Sequence, residues 1–274
     1  MIDSSLQAQI EGAATYQALF VPALFQEWAP WLVAAAAIQP GERVLDVACG
    51  TGVLARAAAA CVGPDGVVAG LDANPGMLVV AVGLDPGIAW REGQAEALPY
   101  PDQSFDAVIS QFGLMFFSDR QQALREMLRV LRPGGHLALA VWDRLEHTPA
   151  YAAEAALLAR LAGEPAADAL RAPFVLGDTR VLEALLRDAG IAAPNIVTHT
   201  GTARFPSIRV MVEADLRGWL PVMGVHLDEA VIARVLGEAQ SVLAPYVTAQ
   251  GEVLFDSPAH IVRATKARSA EREA

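Results

Sequence analysis

Two carboxylates and two glycines at fixed spacing are the residues in this 274-residue chain that could do chemistry. Asp46-Val47-Ala48-Cys49-Gly50-Thr51-Gly52 leads out of a short apolar run, and Asp72 stands twenty residues past Gly52. Glycines let a backbone turn tightly and meet a ligand with no Cβ in the way. Gly50 and Gly52, placed between a strand and a helix, point to a nucleotide-type cofactor. A carboxylate ending the next strand, here Asp72, can accept hydrogen bonds from both ribose hydroxyls; its plainer alternative is a helix cap. Gly50-x-Gly52-x-x-Ala55 with Asp72 also satisfies the dinucleotide pattern, so a nicotinamide-dependent oxidoreductase has to be weighed. Asp46, four residues before Gly50, argues against it. A carboxylate beside a pyrophosphate costs electrostatic energy, whereas one near a cationic amino group or a sulfonium gains it.

The elements needed to hold these groups can be read along the chain. Tyr16, Leu19, Phe20, Ala23 and Leu24 recur at helical intervals within the first 38 residues. After Pro40-Gly41, the stretch Arg43–Ala48 reads as a strand, followed by helix, strand Val67–Leu71 and a helix from Pro75. Short strands follow at Ile88–Trp90 and Phe105–Ile109, then a helix over Asp119–Leu131. Arg132-Pro133-Gly134-Gly135 marks a turn before strand His136–Trp142. Strands alternating with helices, and apolar almost throughout, imply a parallel sheet covered on both faces. Beyond Trp142, helices are expected at 150–162, 179–189, 207–220 and 228–247, with strands at 195–203 and His260–Thr265. The resulting division is an N-terminal helical lid (1–39), a cofactor-binding core (40–206), a helical substrate cover (207–255), and a last strand and tail (256–274). The charged tail Lys266–Ala274 is expected to fray.

Composition narrows the partners. Apolar residues make up 54% and charged residues 19%, enough to bury a sizeable core. The most apolar window, Trp28–Ile38, is short and holds Pro30, so no membrane span is expected, and the start lacks the layout of a signal peptide. A cytoplasmic protein is the expectation. The net charge of −11 repels phosphate backbones and tells against a nucleic-acid partner. Two cysteines, Cys49 and Cys61, build no disulfide framework, and no Cys/His cluster suggests a metal.

These motifs, in this order, resemble the class I S-adenosylmethionine-dependent methyltransferases, and within them the branch of the ubiquinone/menaquinone C-methyltransferases and many small-molecule enzymes. Val44–Gly52 resembles the first motif, with Ala48 in place of the usual first glycine. Leu71-Asp72-Ala73-Asn74-Pro75-Gly76-Met77-Leu78 resembles the second, Gly93–Val108 the third, and Leu131–Leu137 the turn into the fifth strand. The resemblance covers about residues 40–142. It implies an α/β fold, a doubly wound seven-stranded sheet of order 3-2-1-4-5-7-6 with the seventh strand antiparallel, and S-adenosyl-L-methionine as cofactor. It further implies that Asp72 binds ribose, that Ala73 and Met77 pack around adenine, and that Gln94 and the Ala95 N–H read its edge.

For the acceptor, three loops supply candidates. Gln111 and Phe112, after the fourth strand, are expected to face the reacting centre. His147 after the fifth strand and His226 in the cover are candidate bases, each with the plainer reading of a solvated loop histidine; His136, His199 and His260 read as structural. Tyr16 and Phe20 could close over the cofactor, where an aromatic face near a sulfonium is favourable. The motif of amino-methyltransferases that act on nucleic acid is missing after the fourth strand. The expected reaction is therefore methyl transfer to O, N or C of a small, apolar or aromatic molecule. A non-methylating protein on the same scaffold, such as a cyclase or a ligand-binding regulator, is the other reading. The apolar stretch Trp219–Met223 would suit a substrate wall, ordinary packing or a homodimer interface.

Overall fold

Residues 4–268 are described by the computed structural model. At the N-terminus, α1 (Ser4–Thr15), a π-helical stretch (Tyr16–Phe25), one 3₁₀ turn and α2 (Ala29–Ala35) make one continuous helical run. Pro22 lies inside the π stretch, and Pro30 sits in the first turn of α2, where a missing N–H costs least. Neither proline ends the run, contrary to the reading of Pro30 as an interruption. By length and composition, Leu6–Ala35 is therefore sufficient to cross a membrane, where the sequence suggests no such stretch. In this fold it is a packed element instead: Trp28, Leu32 and Ala36 are buried in the core.

β1 (Arg43–Val47), β2 (Val67–Asp72), the short edge strand β3 (Ala89–Glu92), β4 (Phe105–Gln111) and β5 (Leu131–Trp142) pair in parallel. β6 (Asn195–Phe205) and β7 (Val253–Thr265) complete a seven-stranded sheet of order β3-β2-β1-β4-β5-β7-β6, with β7 antiparallel to both neighbours. The α/β, doubly wound arrangement implied by the motifs is the arrangement found. α3 (Val53–Val62), α4 (Pro75–Leu84) and α5 (Arg120–Val130) are the crossovers. Apolar runs such as Val44-Leu45 and Ala107-Val108-Ile109 are buried because helices cover both faces. Gly76, in the first turn of α4, lets α1 lie against it. A Cβ there would stand 2.4 Å from the Gln9 main-chain carbon.

Several boundaries differ from the sequence reading. The Arg132–Gly135 turn falls inside β5: Leu131 already pairs with Phe105, and a bulge with Gly134 at φ +79° shifts the register before His136 meets Ala107. β7 starts at Val253 rather than His260. Pro258 discourages a strand, but here its carbonyl accepts the Asp143 N–H at 3.0 Å, and pairing continues to Phe205↔Val253. After α6 (Pro149–Leu161), the short Ala-rich α7 (Glu164–Arg171) was not foreseen; α8 (Thr179–Asp188) was. The helix expected at 207–220 is divided into α9 (Ile208–Ala214), a π turn (Asp215–Trp219) and α10 (Leu220–Val222). α11 (Glu229–Val242) stops before Pro245. At the C-terminus the single lysine, Lys266, donates to the Leu128 and Leu131 carbonyls, each at 2.6 Å. The expected fraying falls mainly on 269–274, outside the described residues.

Two acids are buried together, Glu154 on α6 and Asp215 on the π turn. Both Glu154 carboxyl oxygens and Asp215 Oδ2 lack a hydrogen-bond partner. Burial raises the Glu154 pKa from the ordinary 4.5 to about 8. Between those values the folded chain keeps a proton that the unfolded chain has released, so raising the pH favours unfolding across that window and not beyond it. Melting temperatures measured from pH 5 to 9 should therefore fall more steeply for the wild type than for Glu154→Gln up to about pH 8; equal slopes would contradict the assignment.

Candidate active site

Where β1 meets α3, the backbone makes three left-handed residues in quick succession: Ala48 (φ +58°), Gly50 (+54°) and Gly52 (+85°). Ala48 thus takes up the conformation a glycine would, at a cost of about 1–2 kcal/mol. Its methyl occupies space that residue 113 leaves free. A Cβ on Gly113 would lie 2.7 Å from the Ala48 Cβ and 3.0 Å from Ser110 Oγ. On the other side the indole of Trp90 supports the loop. It fits because Gly52 and Gly70 lack side chains; Cβ atoms there would come within 2.3 and 2.4 Å of the ring. The Trp90 Nε1–H donates to the Asp85 carbonyl at 2.8 Å, fixing the indole.

Asp72 joins this loop to the next. Its Oδ2 accepts the Gly50 N–H at 2.8 Å and its Oδ1 the Asn74 N–H at 2.9 Å. Burial raises its pKa, and the N–H groups of Asn74, Gly50 and Ala73 oppose that rise. The helix-cap role belongs to Asn74, whose side chain accepts from Gly76 and Met77. Asp46 differs sharply. It is 1% exposed and neither carboxyl oxygen has a partner. Burial first, and then the Asp72 charge, hold its pKa well above the carboxylate range. The ring of Tyr16 closes over the loop, with its hydroxyl 3.8 Å from where a Gly50 Cβ would be. Burial and the charges of Asp72 and Asp46 push that hydroxyl's pKa up. Thr51 Oγ1 donates to Gln17 Oε1 at 2.6 Å, a second tie between loop and N-terminal run.

The remaining expected cofactor residues lie along the β2–β3 edge. Asp72 pairs with Glu92 and its carbonyl accepts the Gly93 N–H, which brings Gln94 beside Ala73. Ala73 and Gln94 are exposed, Met77 is half-buried and Ala95 is buried. Glu96 and Asp106, within the third motif, would be expected to shape turns, but both tie distant segments instead: Glu96 accepts the Ser118 N–H and Asp106, inside β4, the Arg43 N–H of β1.

On the acceptor side, Gln111 Nε2 donates to the Phe25 carbonyl at 3.0 Å, holding the end of the π stretch, and its buried Oε1 has no partner. Phe112 (φ +56°) stacks on Trp142 at 3.7 Å, and Phe25 bridges it to Tyr16 at 5.7 and 5.3 Å. Phe25 went unnoticed in the sequence, and Trp142 was read only as the start of a candidate loop. An aromatic ending a strand beside the cofactor loop was the signal for Trp142, while Phe25 had none. His147 is exposed on a 3₁₀ turn, its Nδ1 2.7 Å from Asp143 Oδ2. Buried Asp143 is also 3.1 Å from His260 Nε2, and the His260 Nδ1 meets Thr198 Oγ1. His226 is exposed between α10 and α11, on a different element from His147. Groups that could hold a metal ion do not occur among the described residues.

This strand order, with a cofactor loop between β1 and α3 and an acid at the end of β2, defines the class I S-adenosylmethionine-dependent methyltransferase fold. A methyltransferase domain family matches residues 45–139, and the protein-L-isoaspartate(D-aspartate) O-methyltransferase family matches residues 3–83. The ubiquinone/menaquinone biosynthesis C-methyltransferase UbiE of Cronobacter sakazakii is 32% identical over 190 residues, covering 64% of this chain and 76% of the relative. Its counterpart from Ectopseudomonas mendocina is 44% identical over 127 residues, covering 44% and 50%. Among solved structures, the YcgJ protein of Bacillus subtilis superposes with a TM-score of 0.58 at 19% identity, covering 89% of this chain and 99% of that one. The chain belongs to the ubiquinone/menaquinone biosynthesis C-methyltransferase family. It spans about half the length of the first curated relatives it matches.

The contact between Ala48 and position 113 predicts non-additive stabilities. Ala48→Gly should be nearly neutral, because relief of left-handed strain is offset by about 0.5–1 kcal/mol of backbone entropy. Gly113→Ala should cost about 1–3 kcal/mol by overpacking, and at least about 1 kcal/mol less when Ala48 is already glycine. Denaturant melts of the four proteins test this; purely additive values would mean that the two residues do not share the space.

Proposed function

We propose that this chain transfers the methyl group of S-adenosyl-L-methionine to a small, apolar or aromatic acceptor. The observation that carries the reading is Asp46, a buried carboxylate without a partner in the strand that enters the cofactor loop. A buried unpaired carboxylate is costly, and a cationic ligand end relieves that cost where a pyrophosphate would raise it. This favours a sulfonium cofactor over a nicotinamide one.

The other site residues fit the same group. Each Asp72 oxygen has accepted one N–H and keeps a lone pair for a ribose hydroxyl. Gly50 leaves the loop open at closest approach, and Tyr16 covers it. Ala73, Met77, Gln94 and Ala95 line the β2–β3 edge for adenine. When bound, the cofactor supplies an electrophilic methyl group on a sulfonium. The protein's part is to place the acceptor in line and to exclude water, a contribution of several kcal/mol from proximity alone, on the order of 7 or more. Phe25, Phe112 and Trp142 form a dry wall for that placement, and Gln111 fixes the N-terminal run over it.

Where the acceptor must lose a proton, we assign the base role to His147. Its Nδ1 bonds to Asp143, which leaves Nε2 free to accept. His226 is kept as the alternative base of the cover.

Asp72→Ala should weaken binding of S-adenosylhomocysteine at least about tenfold by calorimetry; unchanged affinity would overturn the ribose assignment. Asp46→Asn should show two opposite effects. The free protein should melt at a higher temperature, since a buried carboxyl without a partner is gone, while cofactor affinity falls. A loss of both would assign Asp46 to folding alone. Stabilisation of the wild type by NAD but not by S-adenosylhomocysteine would overturn the whole reading. Tight cofactor binding with no methyl transfer across an acceptor library would favour a non-methylating role.

A further inference from the structure

The first residue past β5 is a buried carboxylate whose ion-pair partners, among the described residues, are two imidazoles and no Lys or Arg. Asp143 is 6% exposed. Its Oδ1 accepts the Arg144 main-chain N–H at 2.7 Å and lies 3.1 Å from His260 Nε2, while Oδ2 lies 2.7 Å from His147 Nδ1. The adjacent cation, Arg144, turns instead to Asp178.

The carboxylate is held from behind. His260 on β7 is 2% exposed, and its Nε2 faces two acceptors, Asp143 and the Gly177 carbonyl at 2.9 Å, so Nε2 carries hydrogen. Its Nδ1 meets Thr198 Oγ1 of β6 at 2.9 Å. Gly177 passes so near the Asp143–Arg144 peptide that a Cβ on it would lie 2.3 Å from the Arg144 nitrogen. Thus anchored, Asp143 offers Oδ2 to His147. A carboxylate only accepts, so Nδ1 of His147 donates, and in the neutral ring the lone pair is on Nε2. The His147 side chain is 58% exposed, and an ion pair with so exposed a partner adds little to stability. What the ring gains is a fixed tautomer.

The surroundings suit a reacting group. Trp142, next to Asp143, stacks on Phe112 and lies 6.1 Å from Phe25, the wall on the acceptor side. Arg144, Leu145 and Glu146, in the turn that carries His147, line a groove of about 470 Å³ together with Phe174 and Val175. A ligand therefore has room beside that turn.

We propose that Asp143 is a positioning residue for His147, fixing its Nδ1–H form so that Nε2 takes a proton, and that the acceptor is one that gives up that proton as it is methylated. The inference rests on the methyltransferase reading above, with His147 as its base. The acceptor's X–H proton passes to Nε2, its freed electron pair forms the bond to the methyl carbon, and the sulfur keeps the pair of the broken C–S bond. Asp143 balances the imidazolium, which then releases its proton to solvent. A thiolate acceptor, already ionised, needs no such help.

The test uses the full chain labelled with nitrogen-15 histidine, and two acceptor probes of matched shape, 2-naphthol and 2-naphthalenethiol. Without ligand at pH 8, the ring nitrogen shifts of His147, assigned by the signal missing in His147→Gln, should show the Nδ1–H form. In Asp143→Asn they should move to the Nε2–H form, which free histidine prefers in water. With S-adenosyl-L-methionine, the ratio of kcat/KM for the naphthol over the thiol should fall at least about tenfold in Asp143→Asn and about a hundredfold in His147→Gln. A wild-type His147 with its hydrogen on Nε2 would overturn the proposal, and that measurement needs no variant to fold. So would an unchanged tautomer in Asp143→Asn, or a loss shared equally by both acceptors, as a purely structural role would give. Failure to bind S-adenosylhomocysteine, or no turnover of either probe, strikes at the methyltransferase reading, while the nitrogen shifts still decide the role of Asp143.

Discussion

The Asp72 carboxylate accepts N–H groups from Gly50 and Asn74, so the turn after β1 and the turn after β2 are set by one side chain. Both turns end parallel strands at the same edge of the sheet, where strand carboxyl ends create a crevice. With that bridge in place, the loop holds three left-handed residues, and the N–H groups of Cys49, Gly50 and Gly52 are taken up by the Leu71 carbonyl, Asp72 and the Cys49 carbonyl. Tyr16, Thr51 and Gln17 then register the N-terminal run on the loop. The acid read as a ribose ligand is thus also the tie that shapes the site it serves.

Packing around the loop depends on paired gaps and bulks. The Trp90 indole fills space left by Gly52 and Gly70, and the Ala48 methyl fills space left by Gly113. Each glycine is required by a neighbour distant in sequence, so these are constraints of close packing more than of local conformation. The same logic brings α1 onto α4 at Gly76.

Buried carboxyl oxygens without a hydrogen-bond partner lie at two places, Asp46 under the loop and Glu154 with Asp215 between α6 and the π turn. Among the described residues neither place has a basic side chain to neutralise it, although the chain carries 20 Lys and Arg residues; Arg160, Arg204 and Arg217 pair with surface carboxylates, and Arg132 with the buried Asp106. Burial raises the pKa of all three acids, so the formal net charge of −11 overstates what they contribute.

The sequence by itself determined the sheet, its cofactor loop and the acid at the end of β2. Each is written in a few consecutive residues: apolar runs that only a doubly covered strand tolerates, glycines between strand and helix, and a carboxylate at a fixed distance. It also made Asp46 conspicuous, since a carboxylate in an apolar strand is a local anomaly. What it could not determine was anything that depends on contacts across long separations. Pro30 looked like an interruption, yet the start of α2 absorbs it, as the π stretch absorbs Pro22. Pro258 hid the first half of β7, because only pairing with β6 and the Asp143 N–H, donated to the Pro258 carbonyl from the end of β5, show the strand continuing. Gln111 was legible as a loop residue near the reaction, but its hold on the Phe25 carbonyl spans 86 positions. Nothing in the sequence sets Glu154 or Asp215 apart within the helices expected at 150–162 and 207–220. Only the tertiary structure turns both inward and together, because burial and pairing belong to the packed chain and leave no mark on either local segment.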